Sequence, residues 1–310
     1  MTLYSYCDIS IESEIELPGL SVSTTNTPDL FFTVNSSGES LIIDSTWQRA
    51  ELGEGGFVSC AVLPGTDLHY LIFENLATFE IRNGFREITC VLRSAIALNT
   101  IHHLLLDQVL PRVLSARGKL MLHGSCIEHP KGVIVFAGVS GAGKSTLAAH
   151  FSQRGFPLLS DDGLQLKQEA GKITIIPTYP GLRLWGDSMA ELIDKGVKSE
   201  PMADYSTKKR MVYETVEHMV ERPALSIIFL RPRLPEELPS ITRIVKREAF
   251  FELNKQVFVL DPFSREKAIA RIKHVAELVS RQPIYYLFIP RNYSMLDQVQ
   301  STVLDLVETL

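Results

Sequence analysis

From Met1 to about Arg93 the chain alternates apolar and polar positions in short runs: LFFTV (30–34), SLIID (40–44), FVSCAVL (57–63), LHYLIF (68–73), ATFEIR (77–82) and EITCVLR (87–93). Clusters of Gly, Asn, Ser and Asp separate them. A period of two puts every second side chain on one face, so this stretch predicts an antiparallel β module, residues 1–93. The Asn83-Gly84 pair sits between two such runs. Both residues tolerate positive φ, which predicts a hairpin there.

The period then changes. Ile96, Ile101, Leu104, Leu105, Val109 and Val113 recur at helical spacing up to Gly118, a natural helix stop, so residues 94–118 predict a helix connecting two modules. Pro111 marks a kink point within it. The adjacent His102 and His103 do not share a helix face, so they read as structural and no zinc is expected.

Residues 119–310 mix both periods. Strand-like LMLHGSCIEH and GVIVFAG lead into a glycine-rich loop, a helix from Lys144 to Arg154, the strand FPLLS and a hairpin built from LQLKQ and ITIIP. A helix starts near Asp187, where Ser188 and Glu191 have capping-box spacing. The strand LSIIFL follows, then a helix (Ser264–Ser280), a strand (Ile284–Ile289) and a helix (Ser294–Leu310). Helices interleaved with strands predict an α/β domain.

Composition narrows the function. With 310 residues, 45% hydrophobic and 22% charged, the chain has ordinary globular composition and room for two domains. A net charge of -5 argues against coating nucleic acid, which needs concentrated Lys and Arg. Cys7, Cys60, Cys90 and Cys126 are too scattered for a zinc site or a disulfide framework and read as buried thiols of a cytoplasmic protein. The N-terminus lacks the basic-then-apolar pattern of a secretion signal, and no apolar run reaches the roughly 18 residues of a membrane span, so no membrane partner is expected.

The chemistry is concentrated after GVIVFAG. Gly138-Val139-Ser140-Gly141-Ala142-Gly143-Lys144-Ser145, followed by Thr146, satisfies G-x-x-x-x-G-K-[ST] between a buried strand and a helix. In that setting backbone N–H groups and the positive helix end converge on phosphate oxygens. Gly138 to Thr146 are therefore the expected nucleotide-binding residues, with Lys144 on the β- and γ-phosphates and Ser145 on Mg²⁺. Asp161-Asp162 ends FPLLS, one helix further on. A right-handed parallel crossover would bring both acids to the same sheet edge, where one holds the metal and the other accepts a proton from an attacking hydroxyl. Two neighbouring acids also raise the pKa of one of them.

Arg183 and Trp185 alternate in LRLW. Arg183 is a candidate substrate or phosphate ligand through its planar fork, or else an arginine packed against a tryptophan. Lys208-Lys209-Arg210 is either a solvated charge run or a cover for the transferred phosphate. NKQV (254–257) lacks the Asp that a guanine-recognition motif requires, so it lends no support to a GTPase.

LHG at Leu122–Gly124, GVSGAGKS and LLSDDG together resemble, in order and interval, the core of the HPr serine kinase/phosphorylase family, whose fold is related to that of phosphoenolpyruvate carboxykinase. The likeness covers about Leu120 to Pro180. It implies an α/β P-loop kinase domain of the HPr kinase/PEP carboxykinase type behind an N-terminal β-rich domain, with ATP and Mg²⁺ as cofactors. By that resemblance Asp161 is the general base on a serine hydroxyl, Asp162 a metal-side carboxylate with Ser145, Lys144 the phosphate clamp and His123 a polar neighbour of the phosphates. The family's second signature is absent at YPGLRLWGDS, and its phosphorolysis loop has no counterpart. The opening YSYCDISIESEIELPGL, the β-rich module and YPGLRLW look like the HPr-kinase-like proteins of lasso-peptide biosynthesis, which phosphorylate a serine, typically the C-terminal one, of a precursor peptide. The implied partner is then a peptide substrate, and a homo-oligomer is compatible with the sequence. Two alternatives remain at this point: a kinase of a protein or of free serine, and a noncatalytic nucleotide-dependent regulatory or assembly ATPase.

Overall fold

The alternating runs of the N-terminal third fold into one sheet. In the computed structural model, which describes residues 1–36, 43–52, 57–193, 197–211 and 220–310, this sheet comprises β1 (Thr2–Tyr6), β2 (Ile9–Ser13), β3 (Leu30–Asn35), β4 (Gln48–Leu52), β5 (Val58–Val62), β6 (His69–Phe73), β7 (Ala77–Arg82) and β8 (Glu87–Leu92). Their order is β1-β2-β3-β8-β7-β6-β5-β4. The sheet is not purely antiparallel as expected: β3 runs parallel to both β2 and β8. A parallel neighbour needs a long crossover, and the chain between Ser13 and Leu30 supplies one. Of SLIID, Ser40–Ile42 lie outside the described residues. The Asn83-Gly84 hairpin is present, but Arg82 pairs with Glu87, so the loop runs from Asn83 to Arg86, with Asn83, Gly84 and Phe85 all at positive φ.

The expected connecting segment is instead the core of this module. It consists of α1 (Leu98–His103), a π-helical turn (Leu104–Val109) and α2 (Leu110–Ala116). Leu104, Leu105, Leu106, Val109, Leu110, Val113 and Leu114 are buried in one cluster with Tyr6, Ile11, Phe32, Phe73 and Phe79 of the sheet. The π turn answers the kink expected at Pro111. Leu110 N–H already bonds the Leu105 carbonyl, five residues back. The next bond in that register would run to the Leu106 carbonyl, and Pro111 has no N–H to give. The buried Tyr6 hydroxyl donates to the Leu106 carbonyl instead, at 2.7 Å.

The second sheet contains β9 (Leu120–Leu122), β10 (Gly124–His129), β11 (Gly132–Ala137), β12 (Leu158–Ser160), β13 (Leu164–Glu169) and β14 (Lys172–Pro177). Between β11 and β12 lies α3 (Lys144–Ser152). After β14 come β15 (Arg183–Leu184), α4 (Gly186–Leu192), β16 (Ser199–Ala203) and β17 (Ser206–Met211), with β15-β17-β16 forming a small separate sheet. β18 (Arg222–Arg233), β19 (Ser240–Arg243), α5 (Lys246–Gln256), α6 (Arg265–Arg281), β20 (Ile284–Pro290) and α7 (Leu296–Glu308) complete the chain.

β11, β18 and β20 run parallel at the centre of the second sheet and are apolar on both faces. Val133, Val135, Ile227 and Phe229 pack with Leu253 of α5 and Val275 and Leu278 of α6. Ile134, Phe136, Ile228 and Leu230 pack with Leu147 and Phe151 of α3 and Val299 and Val303 of α7. Such two-sided burial requires uninterrupted apolar strands. β12 runs in the same direction as β11 but is not its neighbour, since β10 lies between them and is antiparallel to both. The crossover through α3 therefore skips one strand and still delivers Ser160 and Asp161 to the edge where β11 enters the glycine loop.

Two local expectations give way to packing. Ser188 does not cap α4; it is buried inside the helix and its hydroxyl meets Thr146 and Tyr293. α5 is not announced by the sequence because it buries few side chains, chiefly Ala249, Glu252, Leu253 and Gln256. NKQV ends this helix, where Val257 bridges to Leu122. Among the described residues no helix is long and apolar enough to cross a membrane.

The Tyr6 hydroxyl bond yields a stability prediction. Tyr6→Phe leaves the Leu106 carbonyl buried without a partner, so urea unfolding should show a loss of about 1–3 kcal/mol. An unchanged midpoint would mean that the π turn does not need this donor.

Candidate active site

The carboxyl ends of β11, β18 and β20 open onto a cleft of about 540 Å³. Open α/β sheets bind ligands at this edge. Ser140 to Thr146 line the cleft, as do His123, Asp162 and Arg183. Gly138 and Val139 are not part of that lining, and their carbonyls accept hydrogen bonds from the buried Lys144 Nζ at 2.8 and 3.2 Å. Burial lowers the pKa of Lys144, while Asp162 and Asp161 oppose the shift.

The loop is built for close approach by a ligand. Gly143 precedes α3 at φ 99° and Gly141 sits at φ 76°. A Cβ at either would meet no protein atom and would project into open space. α3 begins without a side-chain cap, so its first amides are left for a ligand oxygen. The donor set also suits a hard cation: Ser145 Oγ stands 3.0 Å from Asp161 Oδ1. Among the described residues no group of three or more His, Cys, Asp or Glu could hold a metal alone. Mg²⁺ bound beside phosphates commonly takes only one or two protein carboxylates, so the residues present fit a Mg-nucleotide.

The two acids divide differently from the expectation. Asp161 is fully buried and does not line the cleft. Its Oδ1 accepts from Ser125 and Ser145, and its Oδ2 from the Arg183 backbone N–H at 3.0 Å. Asp162 faces the cleft from a left-handed backbone conformation, φ 67°. Such a conformation costs about 1–3 kcal/mol in a non-glycine residue and persists only when its surroundings hold it. Here His123 Nδ1 meets the Asp162 carbonyl at 3.0 Å, Arg183 Nη1 donates to Asp162 Oδ2 at 3.1 Å, and Ser160 and Thr178 both donate to the Gly163 carbonyl.

Electrostatics separates the pair as well. Burial, with Asp162 beside it, raises Asp161 to about 6. Burial would raise Asp162 too, but Arg183 above all, helped by His123 and Lys208, holds it well below the ordinary carboxylate range. The pKa ordering favours Asp161 as a base, whereas access favours Asp162. Of the expected base and metal-side acid, Asp161 lies beneath the Ser145 hydroxyl, away from the cleft lining, and Asp162 lies on the open side.

His123 lines the cleft with its ring edge-on to Phe258, at 5.9 Å between centroids. Because the Asp162 carbonyl can only accept, Nδ1 carries the proton. Burial and Lys144 push this imidazole down to about 4, which keeps it neutral near pH 7. Its hydrogen bond helps hold the Asp162 backbone.

Arg183 is not free to bind a substrate. It is 1% exposed and its guanidinium is engaged on several sides. Nη2 contacts Asp107 Oδ2 at 2.7 Å and donates to the Tyr179 hydroxyl; Nη1 donates to Asp162 and, at 2.8 Å, to the Gly181 carbonyl. Asp107 also accepts from Tyr179 at 2.6 Å and pairs with His103 at 2.7 Å. Neither Asp107 nor Tyr179 is singled out by the sequence analysis. The available signal was one acid within the apolar run LLLDQVL. Thr146, expected among the nucleotide contacts, lines the cleft and joins a hydroxyl chain through Ser188 to Tyr293 and Asp187.

A buried cation between the buried Asp107 and the partly buried Asp162 predicts strong coupling. Arg183→Leu leaves Asp107 and Asp162 uncompensated and should cost about 3–5 kcal/mol in chemical denaturation. Adding Asp107→Asn should restore part of that loss. Simple addition of two separate losses would contradict the network.

No family model matches the chain, and no curated protein matches it. Among solved structures, the Hpr(Ser) kinase/phosphatase from Coxiella burnetii is similar over 60% of this chain and 94% of that one, at 14% identity and a TM-score of 0.30.

Proposed function

We propose that this protein is a phosphotransferase that moves the terminal phosphoryl group of ATP, with Mg²⁺, to a serine hydroxyl. The observation that carries this reading is the Ser145–Asp161 contact beneath the glycine loop with Asp162 beside it on the open side of the cleft. A phosphate cradle alone would fit any nucleotide-holding module. An acid facing the cleft next to that cradle adds a group that can accept a proton from an attacking alcohol.

In this reading the α3 amides and Lys144 hold the phosphates, and Asp161 holds the Ser145 hydroxyl. A Mg²⁺ held by Ser145 with Asp161 behind it would neutralise charge on the phosphates. The acceptor oxygen bonds to the terminal phosphorus as the bond to the bridging oxygen breaks; ADP leaves and the hydroxyl proton passes to Asp162. A depressed pKa does not disqualify Asp162. In a loose transition state little bond to the nucleophile has formed, so positioning and charge matter more than basicity. His123 and Arg183 are positioning residues that keep the Asp162 carboxylate in place.

The acceptor we infer is a serine of a peptide, the C-terminal serine of a lasso-peptide precursor being the foremost candidate. Two features support an acceptor larger than an amino acid: the cleft lining includes Phe57 of the first module and Tyr205 of the β16–β17 turn, their rings 4.7 Å apart, and it also includes the half-exposed Trp185.

Incubation of the purified chain with Mg-ATP and serine-containing precursor peptides, read by mass spectrometry, should show one added phosphate on the peptide. Nucleotide hydrolysis without a phosphorylated product from any peptide, protein or free serine would overturn the transferase reading. Lys144→Ala should weaken ATP binding by about tenfold or more in calorimetry, the scale of one charged hydrogen bond. Undiminished affinity would remove the loop from the nucleotide site.

A further inference from the structure

Three consecutive basic residues on β17 meet different surroundings. Lys208 lines the cleft, whereas Lys209 is exposed and outside its wall. Arg210 shares the parity of Lys208 on the strand but pairs with Glu200 at 3.2 Å. The Lys208 ammonium stands over the Trp185 ring, 5.2 Å from its centroid. Among the described residues no carboxylate forms an ion pair with it.

Lys208 shares the cleft lining with Lys144, His123 and Asp162. Two ammonium groups that repel across one cleft create a place where an anion relieves the repulsion. The position is fixed by backbone pairing: Arg183 lies opposite Arg210 and Leu184 opposite Lys209, so the strand that carries Lys208 is hydrogen-bonded to the one that carries Arg183. Trp185 follows directly and offers its face to the lysine.

We propose that Lys208, seated on Trp185, is a second cationic clamp that grips the terminal phosphoryl group of a nucleoside triphosphate from the side facing Lys144. The proposal rests on the phosphotransferase reading and deepens it. Lys208 forms no covalent bond; it offsets charge on the terminal phosphate oxygens, so it distinguishes a triphosphate from a diphosphate. A lysine merely solvated beside a tryptophan would make no such distinction.

The chain's two tryptophans, Trp47 and Trp185, allow a readout that does not depend on turnover. Trp47 stacks on Tyr70 in the first module, and Trp47→Phe keeps a ring there while leaving Trp185 as the sole reporter. In that background, Trp185 emission is titrated with Mg-ADP and with a Mg-bound non-hydrolysable ATP analogue. Lys208→Met should weaken the analogue by about ten- to a hundredfold, the worth of a charged hydrogen bond, and leave ADP within about twofold. Lys208→Arg should retain most of the preference, and Lys209→Met should retain all of it. Retained ADP binding shows that the variants are folded. An undiminished triphosphate preference in Lys208→Met, an equal loss for ADP, or the same loss in Lys209→Met would overturn the clamp while leaving the nucleotide site intact. Failure of the parent protein to bind either nucleotide would overturn the phosphotransferase reading and the clamp with it.

Discussion

The Arg183 guanidinium, buried between Asp107 and Asp162, is the constraint on which the site depends. A desolvated cation is costly, and only close anions and hydrogen-bond acceptors on several sides offset that cost. Here they come from three parts of the chain: the π turn of the first module, the segment after β14 and the acidic corner after β12. Satisfying one guanidinium thus aligns elements far apart in sequence. It also fixes the carboxylate that faces the cleft and keeps it ionised.

This constraint ties the first module to the cleft. Its sheet wraps a helix whose π turn carries Asp107, and Tyr6 supplies the hydrogen bond that Pro111 cannot. π turns inside α-helices are frequent at functional sites because the extra residue redirects side chains. The same cluster contains Ile176, Tyr179, Phe258 and Leu260 from beyond residue 118, so one apolar core is shared across the sequence boundary between the modules. Phe57 then brings the first module to the cleft wall.

Much of this was legible in the sequence where the signal is local. The alternation of the first ninety residues, the switch to helical spacing, the glycine loop and the acid pair all carry their own periodicity or motif, and most of the elements they announce are present among the described residues. What stayed hidden depends on partners distant in the chain. Asp161 and Asp162 are chemically identical in sequence, and only the Ser125, Ser145 and Arg183 contacts tell them apart. Arg183 reads equally well as a ligand or a packed side chain until Asp107 appears beside it. Lys208, Lys209 and Arg210 form one charge run until strand pairing and the cleft separate them. α5 escaped notice because its buried face is partly polar.

The division of labour between the two acids is tested most directly by single-turnover phosphoryl transfer, with nucleotide affinity measured in parallel, for Asp161→Asn and Asp162→Asn. Asp162→Asn should nearly abolish transfer while nucleotide affinity stays close to that of the parent. Asp161→Asn should instead weaken the Mg²⁺-dependent part of nucleotide binding through Ser145. Full transfer by Asp162→Asn, or loss of transfer with unchanged Mg-nucleotide binding in Asp161→Asn alone, would contradict the assignment.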